Sequence, residues 1–268
     1  MSSPIRVALT IAGSDSGGGA GLQADLKTFA ALGVYGTSAV TAVTAQNTVG
    51  VLSAETLCAD LVVAQMEAIA GDMAIHATKT GMLATAAIVE AVAAAIVELD
   101  LPLVVVDPVM LAKSGDRLMD DDAVRAMRAE LLPRAFVLTP NIPEAEVLIG
   151  QPIRTLADAR AAARLIQAMG PSAVVVKGGH AIGDDVVDVL FDGDRLTEFR
   201  TPRISTRNTH GTGCTFASAI AAYLALGYDI REATGRAQRY VAGAIRHGLA
   251  IGHGHGPLDH FWSLRPGA

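Results

Sequence analysis

The sequence predicts a three-layer α/β fold in which a central, mostly parallel sheet is flanked by helices on both faces. Hydrophobic residues make up 51% of the 268 residues and aromatic residues only 4%. The apolar mass is therefore aliphatic, as strands buried on both faces require. Short apolar runs also alternate with amphipathic segments along the whole chain, which is the pattern of repeated βα units. Since no linker, repeat or low-complexity tract divides the chain, we expect one domain over residues 1–268.

The individual elements follow from local signals. The wholly apolar run at 103–106 predicts a buried parallel strand, and Pro108 predicts its end because proline lacks the N–H of a sheet ladder. Gly33 predicts the end of the first helix, and the acidic residues at 120–122 predict a helix start. Strands are predicted at 6–11, 35–44, 77–80, 103–106, 136–138, 173–176 and, as a hairpin, at 186–191 and 196–199. Helices are predicted at 22–32, 59–70, 85–99, from about 120, and at 156–169, 214–226 and 230–249.

The composition excludes several classes of protein. The net charge of −6 and the lack of a Lys/Arg stripe argue against nucleic acid as a partner. No stretch has the uncharged apolar length of a membrane span. Cys58 and Cys214 are far apart, and we find no secretory signal, so we expect a cytoplasmic protein with free thiols. Cys58 is expected to be an ordinary packing residue.

Loops of unusual composition follow the predicted strands. Ligands of open α/β sheets bind beyond the carboxyl ends of the strands, so we expect these loops to form one site. Glycine and aspartate are also ordinary at strand ends, but here they occur with residue types that phosphate chemistry uses. The loops lie at 13–21, 46–47, 107–108, 141–144 and 177–180.

The first loop contains a loose G-x-G-x-x-A pattern at 19–24, which has the form of a dinucleotide-binding turn. Such a turn also needs an acidic residue about 20 positions later to hold the ribose. No Asp or Glu occurs between Asp25 and Glu55. We therefore interpret the pattern as a tight turn that packs a helix against a strand. A Walker A motif is absent from the sequence, so a P-loop NTPase is not expected.

A second candidate, NTHGTGCT at 208–215, directly precedes a predicted helix. Its two glycines let the backbone approach a ligand, and successive N–H groups at a helix start form an anion hole. Such a site would stabilise a phosphoryl group in transfer. Cys214 lies at the start of this helix, where we expect a lowered thiol pKa and a thiolate that can act as a base. The alternative is a capped helix with an inert buried cysteine.

Together these segments resemble the hydroxymethylpyrimidine (phospho)kinase family of thiamine biosynthesis, a branch of the ribokinase-like kinases. The resemblance runs in order from residue 5 to about 260, without a large insertion. The matching stretches are AGSDSGGGAGLQADLKT (12–28), TAQNT (44–48), KTGML (79–83), DPVMLAKSGD (107–116), TPNIPE (139–144), KGGH (177–180) and NTHGTGCT (208–215).

The resemblance implies ATP-dependent phosphorylation of 4-amino-5-hydroxymethyl-2-methylpyrimidine and then of its monophosphate. It implies that Cys214 is the catalytic base and that the amides of Gly211, Thr212 and Gly213 contribute to the anion hole. Gln46 would bind the pyrimidine, because a carboxamide complements an amino group beside a ring nitrogen. The other substrate-binding residues implied are Gly13, Ala20, Asp25, Met82 and Val109.

The nucleotide side is implied by the same resemblance. Lys177 would neutralise charge on the β- and γ-phosphates of ATP, and Glu144 would hold Mg²⁺. Glu144 has a simpler alternative as an exposed carboxylate in the first turn of a helix. Asn141, Asp107 and His210 complete the nucleotide-binding prediction.

Three alternatives stay open at this point. A pyridoxal kinase of the same branch would bind a similar ring with a hydroxymethyl arm. Some such enzymes carry a lid cysteine where this chain reads LAKS at 111–114, which favours the pyrimidine. A non-catalytic nucleotide-binding protein is disfavoured by the set Lys177, Glu144 and Cys214. A transition-metal site at the histidines is also disfavoured, because no cysteine or carboxylate accompanies them. These histidines are His247, His253, His255 and His260.

Family members are typically homodimers, so we expect a homodimer here as well. Segments within residues 35–53 are expected at the sheet edge, where they would cover the substrate or form the dimer interface.

Overall fold

A computed structural model describes residues 4–110, 119–180 and 183–265. Within them, nine strands form one sheet in the order β3-β2-β1-β4-β5-β6-β7-β8-β9. The strands are β1 (Val7–Asp15), β2 (Tyr35–Gln46), β3 (Val51–Thr56), β4 (Ala77–Thr80), β5 (Val104–Val106), β6 (Val137–Leu138), β7 (Ala173–Val176), β8 (Asp185–Phe191) and β9 (Leu196–Pro202).

The centre of the sheet is parallel and both of its edges are antiparallel. β2, β1, β4, β5, β6 and β7 pair in parallel. β3 pairs antiparallel with β2, and the hairpin of β8 and β9 continues antiparallel from β7. The predicted mostly parallel sheet with an antiparallel edge is therefore confirmed.

Helices cover both faces of the sheet. They are α1 (Gly21–Ala31), α2 (Ala59–Ala70), α3 (Ala86–Glu98), α4 (Asp121–Ala126), α5 (Ile142–Ile149), α6 (Leu156–Gln167), α7 (Thr212–Ala225) and α8 (Ile230–Arg246). A π-helical turn (Met127–Leu131) and 3₁₀ turns (Leu132–Arg134, Gly178–His180 and Trp262–Leu264) complete the regular structure.

Two apolar clusters lie on opposite faces of the sheet, which gives the predicted three layers. One includes Met66, Val92 and Leu148, from α2, α3 and α5. The other includes Phe29 and Ile220, from α1 and α7. Wholly apolar strands such as β5 and β7 are buried at every residue, because helices cover them on both sides.

Two elements were not predicted. β3 is an edge strand with almost every residue exposed, so its sequence lacks the alternation of a half-buried strand. α5 begins within TPNIPE, which the sequence indicated to be a loop. Pro143 is tolerated there because the first helical residues need no hydrogen-bonded N–H. β3, rather than the whole 35–53 segment, forms this sheet edge, since β2 is the second strand.

Among the described residues, no helix is both long enough and apolar enough to cross a membrane.

Candidate active site

A cavity of about 580 Å³ opens at the sheet edge where the parallel strands end. Ligands of such sheets bind at this edge, because the loops after successive strands meet there. The structure brings every predicted site residue except Asp25 to the cavity wall. These are Gly13, Ala20, Gln46, Met82, Asp107, Val109, Asn141, Glu144, Lys177, His210, Gly211, Thr212, Gly213 and Cys214.

Helix α7 begins at the wall of this cavity. Gly211, just before it, has a φ of +82°, and a Cβ there would collide with the carbonyl oxygen of Gly19. A Cβ on Gly213 would lie 3.4 Å from Lys177 Nζ and 3.7 Å from Asp107 Oδ2, so this backbone faces both side chains. The first amides of a helix lack intrahelical acceptors and carry partial positive charge. The start of α7 can therefore stabilise an anion beside Lys177.

Cys214 lies in the first turn of α7 and is half-buried. Burial raises the pKa of its thiol to about 11, which the Lys79 ammonium opposes and the carboxylates of Asp25 and Asp107 reinforce. The predicted lowering of this pKa is therefore wrong, because desolvation outweighs the helix dipole. The thiol is protonated at neutral pH.

Lys177 and Asp107 form an ion pair on one side of the cavity, with Lys177 Nζ 2.9 Å from Asp107 Oδ1. Burial would lower the pKa of Lys177, but the negative charges of Asp107 and Glu144 raise it, so the side chain stays an ammonium. Asp107 follows β5 directly, and its backbone N–H donates to Thr80 O at 3.0 Å. The pair is therefore held by the sheet itself.

Asn141 and Glu144 cap helix α5 reciprocally. The backbone N–H of Asn141 donates to Glu144 Oε2 at 2.8 Å, and that of Glu144 donates to Asn141 Oδ1 at 2.9 Å. Glu144 is buried, so the alternative of an exposed first-turn carboxylate is wrong. Burial raises its pKa to about 7, against the attraction of Lys177 and with the repulsion of Asp107. The side-chain oxygen of Asn141 is engaged in the cap.

The Asp15 carboxylate organises the glycine loop after β1. Its Oδ1 accepts the N–H of Gly17 at 2.8 Å, and its Oδ2 accepts those of Gly19 at 3.0 Å and Ala20 at 2.8 Å. Burial would raise its pKa, but the hydrogen bond from His210 and those from the loop amides lower it. Asp15 is therefore ionised at neutral pH. The sequence interpretation of this loop as a tight packing turn did not anticipate an acidic centre.

His210 contacts residues of the predicted substrate side. Its Nε2 is 2.9 Å from Asp15 Oδ2 and 3.5 Å from Gln46 Nε2. The prediction assigned it to the nucleotide, whereas these contacts place it beside Gln46, a predicted substrate-binding residue.

Asp25 is fully buried and does not reach the cavity. Its Oδ2 accepts from Lys79 Nζ at 2.8 Å and from Thr10 Oγ1 at 2.6 Å, and its Oδ1 accepts from Ser218 Oγ at 2.6 Å. The prediction that Asp25 contacts substrate is therefore wrong. The residue ties α1 to β1, β4 and α7 below the cavity.

The apolar wall near the glycine loop is formed by close contact between Gly13 and Met82. A Cβ on Gly13 would come within 2.5 Å of the Met82 methyl carbon, so a larger residue there would displace the end of the Met82 side chain from β1. Ala20 and Val109 also line the cavity. A flat apolar ring could be held between these side chains.

Several polar residues of the cavity were missed from the sequence. Asp188 accepts the N–H of Gly178 and a proton of Gln238 Nε2, each at 2.8 Å, and burial raises its pKa. An aspartate within the otherwise apolar run of β8 was the available signal. Lys79 also lines the cavity. It could have been found by a similar signal, because a lysine within a buried strand needs a carboxylate partner.

The four histidines take separate places. His247 stacks on Trp262 with a centroid distance of 5.5 Å, and His260 Nε2 lies 3.0 Å from Thr215 Oγ1. His253 and His255 are in the loop that packs on Thr48. In the part of the chain that the structure describes, no group of three His, Cys, Asp or Glu side chains could hold a metal ion.

Two further sequence interpretations concern Cys58 and the LAKS segment. Cys58 is exposed, directly before α2, so the expectation that it packs in the interior is wrong. The LAKS segment at 111–114, where the lid cysteine of some pyridoxal kinases would lie, is outside the described residues.

Comparisons with known proteins agree on one family. The model of the family "Phosphomethylpyrimidine kinase" matches residues 15–259. The hydroxymethylpyrimidine/phosphomethylpyrimidine kinase of Synechococcus elongatus is 51% identical over 261 residues, which are 97% of this chain and 99% of that protein. The thiamine biosynthesis bifunctional protein ThiED of Geobacter sulfurreducens is 51% identical over 252 residues, which are 94% of this chain. The chain spans only 51% of that longer protein.

A solved structure shares the fold over nearly the whole chain. The ADP complex of Bacillus subtilis pyridoxal kinase superposes with a TM-score of 0.90 at 39% identity, covering 96% of this chain and 98% of that one. The chain belongs to the phosphomethylpyrimidine kinase family and has the ribokinase-like fold.

Proposed function

We propose that this chain transfers the γ-phosphoryl group of ATP to the hydroxymethyl group of 4-amino-5-hydroxymethyl-2-methylpyrimidine. It then transfers a second phosphoryl group to the resulting monophosphate, in thiamine biosynthesis. The observation that carries the proposal is that the segment beginning α7 meets both Gln46 and Lys177: His210 Nε2 lies 3.5 Å from Gln46 Nε2, and a Cβ on Gly213 would lie 3.4 Å from Lys177 Nζ. The membership of the family supports the same two reactions.

The ring would lie between the Gly13–Met82 wall and Val109, with its polar edge at Gln46. A carboxamide offers an acceptor and a donor side by side, and an aminopyrimidine presents the complementary pair. The hydroxymethyl arm would then extend toward Cys214 and the amides that begin α7.

ATP would enter from the opposite side, with its phosphates beside Lys177. Lys177 is the ammonium nearest the Gly213 backbone, so it would neutralise charge on the transferred group where the amides also face it. Asp107 fixes the direction of that ammonium. Asn141 lies next to Lys177, through an isolated backbone bridge beyond the ends of β6 and β7, and would contact the phosphates with its amide nitrogen.

In the transfer, the hydroxyl oxygen forms a bond to the γ-phosphorus while the bond from that phosphorus to the β–γ bridging oxygen breaks. ADP leaves with the electron pair, and the hydroxyl proton passes to water or to the Cys214 thiolate. Because the thiol pKa is about 11, this thiolate is a strong base but a scarce one at neutral pH. Because phosphoryl-transfer transition states are loose, we assign most of the rate to the anion hole and a smaller share to Cys214.

The residues also fit a magnesium ion. Magnesium is usually held by one or two carboxylates together with substrate phosphates and water. Glu144 is a buried carboxyl whose pKa is raised to about 7, and Asp107 lies close enough to repel it. A cation near both would stabilise their ionised forms. Glu144 and Asp107 would hold Mg²⁺, which would neutralise phosphate charge when bound.

A pyridoxal kinase is the second candidate, because the solved structure described above is a pyridoxal kinase with the same fold. The test is product formation with ATP and Mg²⁺ on three substrates offered separately: the hydroxymethylpyrimidine, its monophosphate and pyridoxal. Consumption of both pyrimidines with little turnover of pyridoxal is the expected result. Turnover of pyridoxal alone would replace the proposed substrate while leaving the phosphoryl-transfer site in place.

The organisation of the protein is also part of the proposal. One sheet runs through all the described strands, so we treat residues 1–268 as one domain. A homodimer in the cytoplasm is proposed, with a second copy covering the exposed side chains of Val43, Val49 and Leu52 beside the β3 edge. Light scattering of the wild-type chain and of Leu52→Glu tests it. A dimer that the variant converts to monomer is expected, and a monomeric wild type would refute it.

A further inference from the structure

The carboxamide of Gln46 lies between two polar neighbours that constrain its orientation. In the structure its Oε1 is 3.2 Å from Thr44 Oγ1, and its Nε2 is 3.5 Å from His210 Nε2. The two ends of a carboxamide have nearly the same shape, so its orientation is decided by which neighbours donate and which accept.

Thr44 has no proton left for Gln46. A hydroxyl carries one hydrogen, and that of Thr44 donates to the carbonyl oxygen of Ser14 at 2.9 Å. The oxygen therefore presents lone pairs to the carboxamide. An N–H group is the favourable partner at this end, whereas an oxygen would place two acceptors against each other.

His210 offers Gln46 no lone pair. Its Nε2 lies 2.9 Å from Asp15 Oδ2, and an ionised carboxylate can only accept. Nε2 must therefore carry the hydrogen of this bond, and that one hydrogen is directed at Asp15. Gln46 thus meets the electropositive N–H group from the side, 3.5 Å from the nitrogen. At this end of the carboxamide an oxygen is the favourable neighbour, because an NH₂ group would find no acceptor and would place two donors against each other.

We propose that Thr44 and the Asp15–His210 pair are positioning residues that hold the Gln46 carboxamide with Nε2 toward Thr44 and Oε1 toward His210. This turns the group by half a revolution about its last bond and removes both mismatches at once. The inference rests on the proposed function and names how the ring is selected and aligned.

The orientation decides where the hydroxymethyl arm points. With Nε2 on the Thr44 side, the ring nitrogen of the aminopyrimidine pairs there and its 4-amino group pairs with Oε1 on the His210 side. The 5-hydroxymethyl group is attached next to the amino-bearing carbon, so it falls beyond His210. The residues that follow His210 are Gly211 to Cys214, at the start of α7. The opposite orientation would point the arm away from this anion hole.

The test compares the aminopyrimidine with its 4-oxo analogue, in which the amino donor becomes an acceptor and the ring nitrogen becomes a donor. The wild type is expected to prefer the amino compound strongly in kcat/KM. His210→Phe keeps a ring but removes the N–H, so the carboxamide can turn. We expect the amino-to-oxo ratio to fall by about tenfold or more, because the carboxamide can then present either of its ends to the ring. His210→Gln places an amide N–H at the same reach and should restore the ratio.

The KM for ATP serves as the control and should stay unchanged, because His210 lies on the substrate wall. An unchanged amino-to-oxo ratio in His210→Phe, or an equal loss on both pyrimidines, would overturn the proposal. Thr44→Val removes the partner at the other end and is measured in the same way, so a poorly folding His210 variant does not end the test. A wild type that accepts neither pyrimidine would refute the proposed function instead.

The orientation itself is read without activity from the side-chain amide of Gln46 in a ¹⁵N-labelled wild-type sample. Nuclear Overhauser contacts from its NH₂ protons to the Thr44 methyl group are expected. Contacts from those protons to the His210 ring in place of Thr44 would overturn the assignment.

Discussion

Two lysine–aspartate ion pairs lie within the same part of the molecule, and they differ in how fully they are satisfied. Lys79 and Asp25 are both 0% exposed, and Asp25 also accepts hydrogen bonds from Thr10 and Ser218. Lys177 is 13% exposed and pairs with Asp107, which is 2% exposed. The first pair connects strands and helices at the base of the cavity, and the second lies directly beside the start of α7.

The difference separates a structural role from a chemical one. An aspartate whose two oxygens are both occupied by protein donors has nothing left to offer a ligand. The Lys177–Asp107 pair faces the cavity, beside the Gly213 backbone and the buried Glu144 carboxyl. Burial lowers and nearby carboxylates raise the pKa of each lysine, so both are ammonium ions. The charge state of the lysines therefore does not distinguish the two pairs. They differ in their exposure to the cavity and in whether the aspartate oxygens are all occupied by protein donors.

The largest expected effect is the loss of protein stability on breaking the fully buried Lys79–Asp25 pair. Lys79→Met leaves Asp25 buried without its cation, and breaking one side of a buried ion pair costs about 3–5 kcal/mol. The free energy of unfolding from guanidinium titration measures it. The double variant Lys79→Met with Asp25→Leu should be less destabilised than the single one, because no unpaired charge remains. A single variant that loses less than about 1 kcal/mol would contradict the structural role.

The Lys177–Asp107 pair, which faces the cavity, should respond in the opposite manner, with a large effect on activity and a smaller one on stability. Lys177→Met is expected to lower kcat/KM for the phosphoryl transfer by about 10²–10³-fold, the usual effect of removing one donor from a transition-state site. Its loss of unfolding free energy should be smaller than that of Lys79→Met, because water in the cavity can reach the altered site. Lys177→Arg, which keeps the charge, is the matched control. Steady-state kinetics with normal activity in Lys177→Met would remove the distinction between the two pairs.

The sequence predicted the sheet better than it predicted this distinction. Continuous apolar runs such as those of β5 and β7 predict buried strands because their signal is local. Helix α5 was missed because Pro140 before it and Pro143 in its first turn look like loop residues, although Asn141 and Glu144 three residues apart form a capping box. That spacing was a usable signal. β3 carries no comparable signal, since almost all of its residues are exposed.

The predicted site residues, apart from Asp25, line one cavity, but the contacts that each of them makes could be read only from the fold. Asp25 and Asp107 are both aspartates of chemistry-bearing segments, and nothing local in the sequence tells which one is enclosed. Ser218 is 193 residues from the aspartate that it contacts. The contact of His210 with Asp15 could not be read from the sequence for the same reason, since the two residues are 195 positions apart. The lowered pKa expected for Cys214 failed because desolvation by distant elements outweighs the local helix dipole.

Glu144, beside the Lys177–Asp107 pair, should have a smaller, pH-dependent effect on the free energy of unfolding. Its pKa rises from 4.5 to about 7 on folding, so the folded state binds the proton more tightly than the unfolded state does. The carboxyl therefore reduces the free energy of unfolding as pH rises from about 4.5 to 7, by at most about 3 kcal/mol, with no further change above.

Glu144→Gln keeps the cap on Asn141 and cannot ionise, so it should remove this part of the pH dependence. Unfolding titrations of both proteins at pH 5 and pH 8 measure the effect, and the variant should gain stability over the wild type at the higher pH. If wild type and variant differ in unfolding free energy by the same amount at both pH values, Glu144 has an ordinary pKa in the folded protein.

The smallest expected effect concerns Cys214, whose thiol pKa is influenced by Lys79, Asp25 and Asp107. Its thiol is protonated at neutral pH because burial raises the pKa to about 11. Cys214→Ser should therefore retain kcat within about tenfold of the wild type, with a pH–rate profile of the same shape, since a full general base would contribute 10²–10⁴-fold. Cys58→Ser, at an exposed position before α2, is the matched control and should have no effect. A 10²-fold or greater loss in Cys214→Ser alone would mean that bound substrate lowers the thiol pKa enough to form the thiolate. The start of α7 would then supply a true base as well as an anion hole.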